Sequence, residues 1–354
     1  GDLQYSAKIK LGGEALEAVL DTGSYELLAF GVFCRTCGTA AKYDYQASPT
    51  YDPGLLSTVF AFGSGSCRCL DGTDRLQIGN FTVEKQPFWE VMSASMPVLQ
   101  SATFNAIVGL GPPGEPQAMA MMMAEEHPQD KSIATIIWNK HDSVLENLNV
   151  RYFSACLGWE SGSPGHLVWD DVPPEAQPVA FAEIEVTDEV KWAVSLTSPR
   201  FEVAATKDSS AKSIRLGCEH GCKAVVDTGT SLIAVPADTF NHALQALNKI
   251  DRDCSNLHEM PDLTFNLGSA TYSLPPHSYI GVIEGYVASD VADMMSPKPV
   301  REVIACQLLL MNSGSLGGED MWVLGMPFFR YYYTTFDLGV HPYYWQGRRI
   351  WTAP

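Results

Sequence analysis

The run Ala18-Val19-Leu20-Asp21-Thr22-Gly23-Ser24 returns later in the chain as Val225-Val226-Asp227-Thr228-Gly229-Thr230-Ser231. Each copy is an apolar, strand-like stretch that ends on an acid followed by Thr and Gly. A second pair of runs trails the first at a similar distance: Ala106-Ile107-Val108-Gly109-Leu110 after one copy, Trp322-Val323-Leu324-Gly325-Met326 after the other. Self-similarity of this kind means units built to one plan. The chain is therefore expected to fold as two lobes, 1–175 and 176–354, with the boundary near Pro173 to Pro178.

Length and composition agree with that division. A chain of 354 residues is long for one core, and chains of this size split into domains. With 29 Gly, 22 Pro and 46% hydrophobic residues, it favours many short strands between turns over long helices. Tyr5, Ala7, Ile9 and Leu11 alternate with polar neighbours, Gly12-Gly13 turns the chain, and Ala15 to Leu20 reads as the returning strand that delivers Asp21. The clearest helix starts after Pro236, where Phe240, Ala243, Leu244 and Leu247 share one face. Met119 to Met123 and Ile133 to Leu148 are further helical candidates with packing roles.

The 41 acidic and 23 basic residues leave a net charge of -18, which repels phosphate backbones and excludes a nucleic-acid partner. The same excess fits work in acid, where carboxylates protonate, and fits plain solubility equally well. No apolar run approaches the roughly 20 residues of a membrane span. The N-terminus has no signal-peptide pattern, so the chain reads as a mature or trimmed product. Nine cysteines, three sets of them closely spaced, point to an oxidising compartment and a secretory route.

A carboxylate placed on a tight loop, with a Gly that admits close backbone approach, is a candidate for chemistry. One Asp-Thr-Gly is an ordinary turn sequence. Two copies, each behind an apolar strand and each trailed by an apolar-apolar-Gly run, are poorly explained as turns. Phe62-Gly63-Ser64-Gly65-Ser66 and Tyr332-Tyr333-Thr334-Thr335-Phe336-Asp337 complete a constellation that resembles the pepsin-like aspartic proteases over nearly the whole chain.

The resemblance implies an all-β-dominated, bilobal fold with a deep cleft that holds an extended peptide. It implies that Asp21 and Asp227 are the catalytic pair, sharing one proton because two like charges so close cannot both ionise; the pepsin pair is the standard example of this splitting. Ser24 and Thr230 are implied to hydrogen-bond the outer carboxylate oxygens, the Gly23 and Gly229 amides to hold the carboxylates coplanar, and Thr22 and Thr228 to brace the two loops. Phe62, Gly63 and Ser64 fall in the flap that closes over substrate. Val19, Phe62 and Ile107 are candidates for the pocket beside Asp21, Ser231 is expected to join the substrate-binding set, and Lys191, just before Trp192, is expected to add a charge preference near the prime side.

The resemblance also implies disulfides Cys34–Cys37, Cys218–Cys222 and Cys254–Cys306. It assigns no partner to Cys67, Cys69 or Cys156. Cys67 and Cys69 sit on the flap's returning strand, where i and i+2 side chains point the same way, and the four cysteines Cys34, Cys37, Cys67 and Cys69 allow three pairings. Cys156, on an apparent strand, reads as a buried free thiol. Expected partners are polypeptide substrates and pepstatin-like inhibitors. The expected form is a monomer, made as a zymogen, in the extracellular space or an acidic vacuolar or lysosomal compartment, with no cofactor and no metal.

Two positions depart from the family. Phe62 stands where most members carry Tyr, and Leu28 where they carry Trp, so both members of one hydrogen-bonded pair are missing. Losing both partners costs less than stranding one. A looser flap or an altered specificity is expected. The alternative from another class is a catalytically silent relative that binds peptides without cutting them.

Three further signals carry less. Cys34-x-x-Cys37 with Cys67-x-Cys69 has the residue types of a zinc site. Gly109-Leu110-Gly111-Pro112-Pro113-Gly114 matches a dinucleotide fingerprint in form, yet its prolines remove amides that a pyrophosphate needs. Asn80-Phe81-Thr82 is a glycosylation pattern in an expected surface turn.

Overall fold

The computed structural model describes the chain apart from residues 1–3, 101, 127, 159, 161, 172–180, 204–211, 248–249, 284–304, 315–319 and 340–346. The expected lobe boundary at Pro173 to Pro178 lies outside the described residues.

Alternation in the first residues produces β1 (Ser6–Leu11), and Gly12-Gly13 form the two-residue turn into β2 (Glu14–Asp21). Both glycines have positive φ, at 60° and 93°, as the tight hairpin turn requires. Pairing runs from Ser6↔Val19 to Leu11↔Glu14. The chain continues through β3 (Leu27–Phe30), β4 (Asp52–Phe62), β5 (Gly65–Ile78), β6 (Phe81–Ser95) and β7 (Ala106–Gly109). The seven strands form one sheet in the order β1-β2-β7-β3-β6-β5-β4. Here β2 and β7 run parallel, with Val19 opposite Ile107 and Asp21 opposite Gly109. Asn80 lies exposed in the turn between β5 and β6.

The second half repeats the plan. Cys222–Val226 runs parallel to Met321–Leu324, with Val225 opposite Val323 and Val226 opposite Leu324, inside an eight-stranded sheet. The two Asp-bearing strands are thus each paired with the apolar-apolar-Gly run that the sequence repeats. A five-stranded sheet takes segments from both halves: Ala182–Glu185, Arg349–Ala353, Tyr333–Asp337, Tyr152–Cys156 and His166–Trp169. In it Phe153 stacks on Phe336 at 4.7 Å, and Trp192 meets Phe336 at 5.1 Å. The Trp192 indole donates to the Leu110 carbonyl at 2.8 Å, fastening the second half to the loop after β7. The bilobal, strand-dominated fold follows.

Helices are short. Ala237–Ala246 follows Pro236 and buries Phe240 and Ala243. The Met-rich stretch lies in the helix Glu115–Glu126, and the run from Ile133 spans two helices, Lys131–Lys140 and Val144–Leu148. Ser143 caps the last of these with a capping box closed by Glu146, which satisfies two amides that a helix start leaves open.

Disulfides join Cys34 to Cys37, Cys218 to Cys222 and Cys254 to Cys306. Cys67, Cys69 and Cys156 are free, the first two buried. Cys156 is only half-buried, because it ends its strand where the burial of Tyr152–Ala155 runs out.

Candidate active site

Asp21 is the last residue of β2, and Asp227 follows the strand Cys222–Val226 directly. They are 9% and 8% exposed, unusual burial for carboxyl groups without a cationic partner among the described residues. The two loops meet so closely that a Cβ added to Gly23 would lie 2.6 Å from Asp227 Cγ, and one added to Gly229 would lie 2.2 Å from Asp21 Oδ1. Glycine is demanded by this mutual approach, and each acid lies against the other loop.

Each carboxylate is held in the same way. The Gly23 amide donates to Asp21 Oδ1 at 2.9 Å and Ser24 Oγ to Asp21 Oδ2 at 2.5 Å. The Gly229 amide donates to Asp227 Oδ1 at 2.7 Å and Thr230 Oγ1 to Asp227 Oδ2 at 2.6 Å. Below them the threonines cross. Thr22 N–H donates to Thr228 Oγ1 at 3.1 Å and Thr228 N–H to Thr22 Oγ1 at 2.9 Å, while the hydroxyls donate onward to Val226 O at 2.8 Å and Leu20 O at 2.6 Å. Thr228→Val removes one acceptor and one donor from this buried brace. It is expected to cost about 2–3 kcal/mol, read as a lower urea midpoint with an unchanged m-value.

The glycines of the trailing runs have a comparable function. A Cβ on Gly109 would lie 2.3 Å from the Tyr25 backbone, and one on Gly325 would lie 2.2 Å from the Thr230 carbonyl. Only a residue without a side chain lets β7 and its counterpart press against the two acid-bearing loops.

Burial pushes the Asp21 carboxyl well above the usual carboxylate range. The negative charge of Asp227 and a hydrogen bond with it raise it further, against the pull of Ser24 and Gly23.

Val19 and Ile107 are buried at 5% and 7% and belong, with Leu28, to a second apolar cluster beneath the flap. Phe62 ends β4, half-buried against that cluster, and Gly63-Ser64 turn the chain into β5. Ser231 is half-buried beside Thr230, and Lys191 is exposed next to buried Trp192. The disulfide between Cys34 and Cys37 uses both of those thiols, which removes two of the four ligands that a zinc site would need.

One polar cluster escaped the sequence reading. Leu28 faces Trp89 across the pairing of β3 with β6. Trp89 meets Phe60 of the flap edge-on at 5.2 Å and stacks on His141 at 5.0 Å. His141 Nε2 lies 3.4 Å from Asp71 Oδ2, and Asp71 Oδ1 accepts the Leu56 amide at 2.6 Å. An indole therefore packs beneath the flap after all, carried by the strand next to the one where the family has it. Glu26, two residues past Ser24, completes the group. Burial raises its carboxyl from the ordinary 4.5 to about 8. The Trp89 indole N–H beside it partly offsets that rise, although its alignment falls short of a full hydrogen bond. The available signal was a charged residue set directly before the apolar run Leu27-Leu28-Ala29-Phe30.

Two lobes of strands that each bring an Asp-Thr-Gly acid to a common hydrogen-bonded centre define the pepsin-like aspartic protease architecture. The profile of the family described as "Eukaryotic aspartyl protease" matches residues 4–342, and the chain belongs to that family. It is 27% identical to gastricsin of Cavia porcellus over 349 residues, which cover 95% of this chain and 78% of that protein. It is 25% identical to pepsin A of Bos taurus over 349 residues, 96% of this chain and 82% of that protein. Gastricsin of Homo sapiens is 25% identical over 350 residues, 96% and 80% of the two chains. Among the described residues no helix is long and apolar enough to cross a membrane.

Proposed function

We propose that this chain is an aspartic endopeptidase whose two lobes, 1–175 and 176–354, hold a water molecule between Asp21 and Asp227. The observation that carries the reading is the crosswise seating of each acid against the other loop's glycine. In this reading the ionised carboxylate takes a proton from the water, which attacks the peptide carbonyl. The protonated partner donates a hydrogen bond to the carbonyl oxygen and stabilises the charge that grows there. Proton and nucleophile both come from groups already in place, and no covalent intermediate forms.

Val19 and Ile107, on the two strands that pair up to Asp21, and Phe62, packed in the same apolar cluster, support a preference for hydrophobic residues around the scissile bond. The raised Asp21 carboxyl sets the direction of the pH dependence: hydrolysis is present in acid and is lost as rising pH removes the shared proton. A monomer working in an acidic or extracellular compartment of the secretory route fits the disulfides and the charge. Digestion of a denatured protein across acidic pH, with and without pepstatin, tests the reading. Cleavage that pepstatin blocks is the expected result; tight peptide binding without turnover would replace the endopeptidase with a silent peptide binder.

A further inference from the structure

We propose that Cys67 and Cys69 form a reversible disulfide on the inner face of the flap's return strand. The two residues alternate with exposed Arg68 on β5, so both side chains point inward, where they are 2% and 0% exposed. Their sulfurs lie 3.5 Å apart, and closure to a bond of about 2.05 Å needs a movement of roughly 1.5 Å.

An extended strand separates residues i and i+2 by about 6.6–6.8 Å, at the upper limit of about 6.8 Å that a disulfide spans. Closure therefore needs a slight contraction of β5. The ladder is already irregular at this point, because its register against β6 shifts between Arg68, opposite Ser93, and Cys69, opposite Val91. An extra residue on the partner strand bends a ladder and increases its twist. The hydrogen bond from Cys69 favours the thiolate of Cys67 and lowers its pKa against the opposing effect of burial, while the same contact and burial raise Cys69. Either sulfur can open the exchange; with Cys67 attacking, Cys69 is the resolving thiol.

The oxidant is a low-molecular-weight disulfide, RSSR. Cys67 thiolate attacks one of its sulfurs and expels RS⁻, forming a mixed disulfide. Cys69 gives up its proton to that RS⁻ and attacks Cys67 Sγ, which expels a second RS⁻ that is protonated by solvent. Two cysteine thiols are oxidised to one cystine, and RSSR is reduced to two RSH. Both thiols are closed off from solvent within the apolar cluster, so reagent reaches them when the β4–β5 hairpin moves off that cluster. Cys67 pairs with Phe60 and Cys69 with Thr58, a few residues from the tip where Phe62 meets Gly65. Contraction there changes the seating of Phe62 against the apolar cluster of Val19, Leu28 and Ile107.

The flap effect rests on the endopeptidase reading; the disulfide does not. The full chain is equilibrated in a glutathione/glutathione disulfide series, quenched in acid, alkylated under denaturing conditions and mapped by mass spectrometry. The expected count is three alkylated thiols at the reducing end and one, Cys156, at the oxidising end, with reversal by reductant. Peptide hydrolysis on parallel, unquenched portions of each equilibration is expected to show a KM that differs severalfold between the two forms. Cys67→Ser and Cys69→Ser should hold a constant KM across the series. The proposal is overturned if both thiols stay alkylatable at the oxidising end, or if they pair with Cys34, Cys37 or Cys156. A disulfide that forms while neither form hydrolyses peptide upholds the site and defeats the endopeptidase reading. A disulfide that leaves KM and kcat unchanged overturns the effect on the flap.

Discussion

Asp21→Asn is expected to lower peptide hydrolysis at acidic pH by on the order of 10³–10⁴-fold, while the thermal midpoint stays level or rises. The two effects separate because the site is costly to fold. Asp21 is buried against a second carboxyl, and its proton affinity is raised by both circumstances. Asn keeps the shape and still offers one oxygen to the Gly23 amide or the Ser24 hydroxyl, so the loop retains part of its support. What it lacks is a proton that can be shared. The variant can neither ionise to draw a proton from water nor act as the acid toward the carbonyl oxygen. Steady-state kinetics beside calorimetry checks both halves of the expectation. Full hydrolysis by the variant would end the paired-acid mechanism, whereas a collapsed melting profile would make the loss of rate a folding effect.

Glu26→Gln is expected to raise stability at neutral and mildly alkaline pH and to change little in acid. The carboxyl titrates near 8 in the folded chain against an ordinary 4.5, so between those values the native state binds the extra proton. Stability then falls as pH rises through that window, and the loss is complete above the folded value. A shift of this size corresponds to roughly 3–5 kcal/mol, and the partial exposure of Glu26 argues for the lower end. Gln preserves the neutral shape and does not ionise. Its melting temperature should therefore match the parent at pH 4 and exceed it by several degrees at pH 8. Equal melting temperatures at pH 8 would show that Glu26 ionises without penalty. Glu90, raised to about 7 by burial and then by Asp44, adds a second slope in the same direction, so the single variant should flatten the decline without abolishing it.

Much of the architecture was written locally. Period-two alternation and Gly12-Gly13 specify the first hairpin, and the doubled Asp-Thr-Gly with its trailing Gly specifies two equivalent strand pairs. These features are legible because each depends on residues within a few positions of one another. The five-stranded sheet is different in kind. Its strands lie as far apart as Tyr152 and Ala353, and no local pattern says that they pair. The cluster beneath the flap was hidden for the same reason, since Glu26, Asp71, Trp89 and His141 come from four separate segments. The missing Tyr and Trp of the family were visible in sequence, but the indole supplied by Trp89 was not, because cross-strand register decides which side chain fills a space. The state of the flap cysteines was likewise open in the sequence, and the fold leaves both thiols free and buried.

The crossing threonines have a consequence for how this molecule could have come about. Thr22 ends on the Val226 carbonyl and Thr228 on the Leu20 carbonyl, so neither half owns a finished centre. A single repeat on its own would expose a loop whose hydroxyl and amide have nothing to grip, and it would regain them only by meeting a twin. The seat of either acid comes about only when both halves have folded and met.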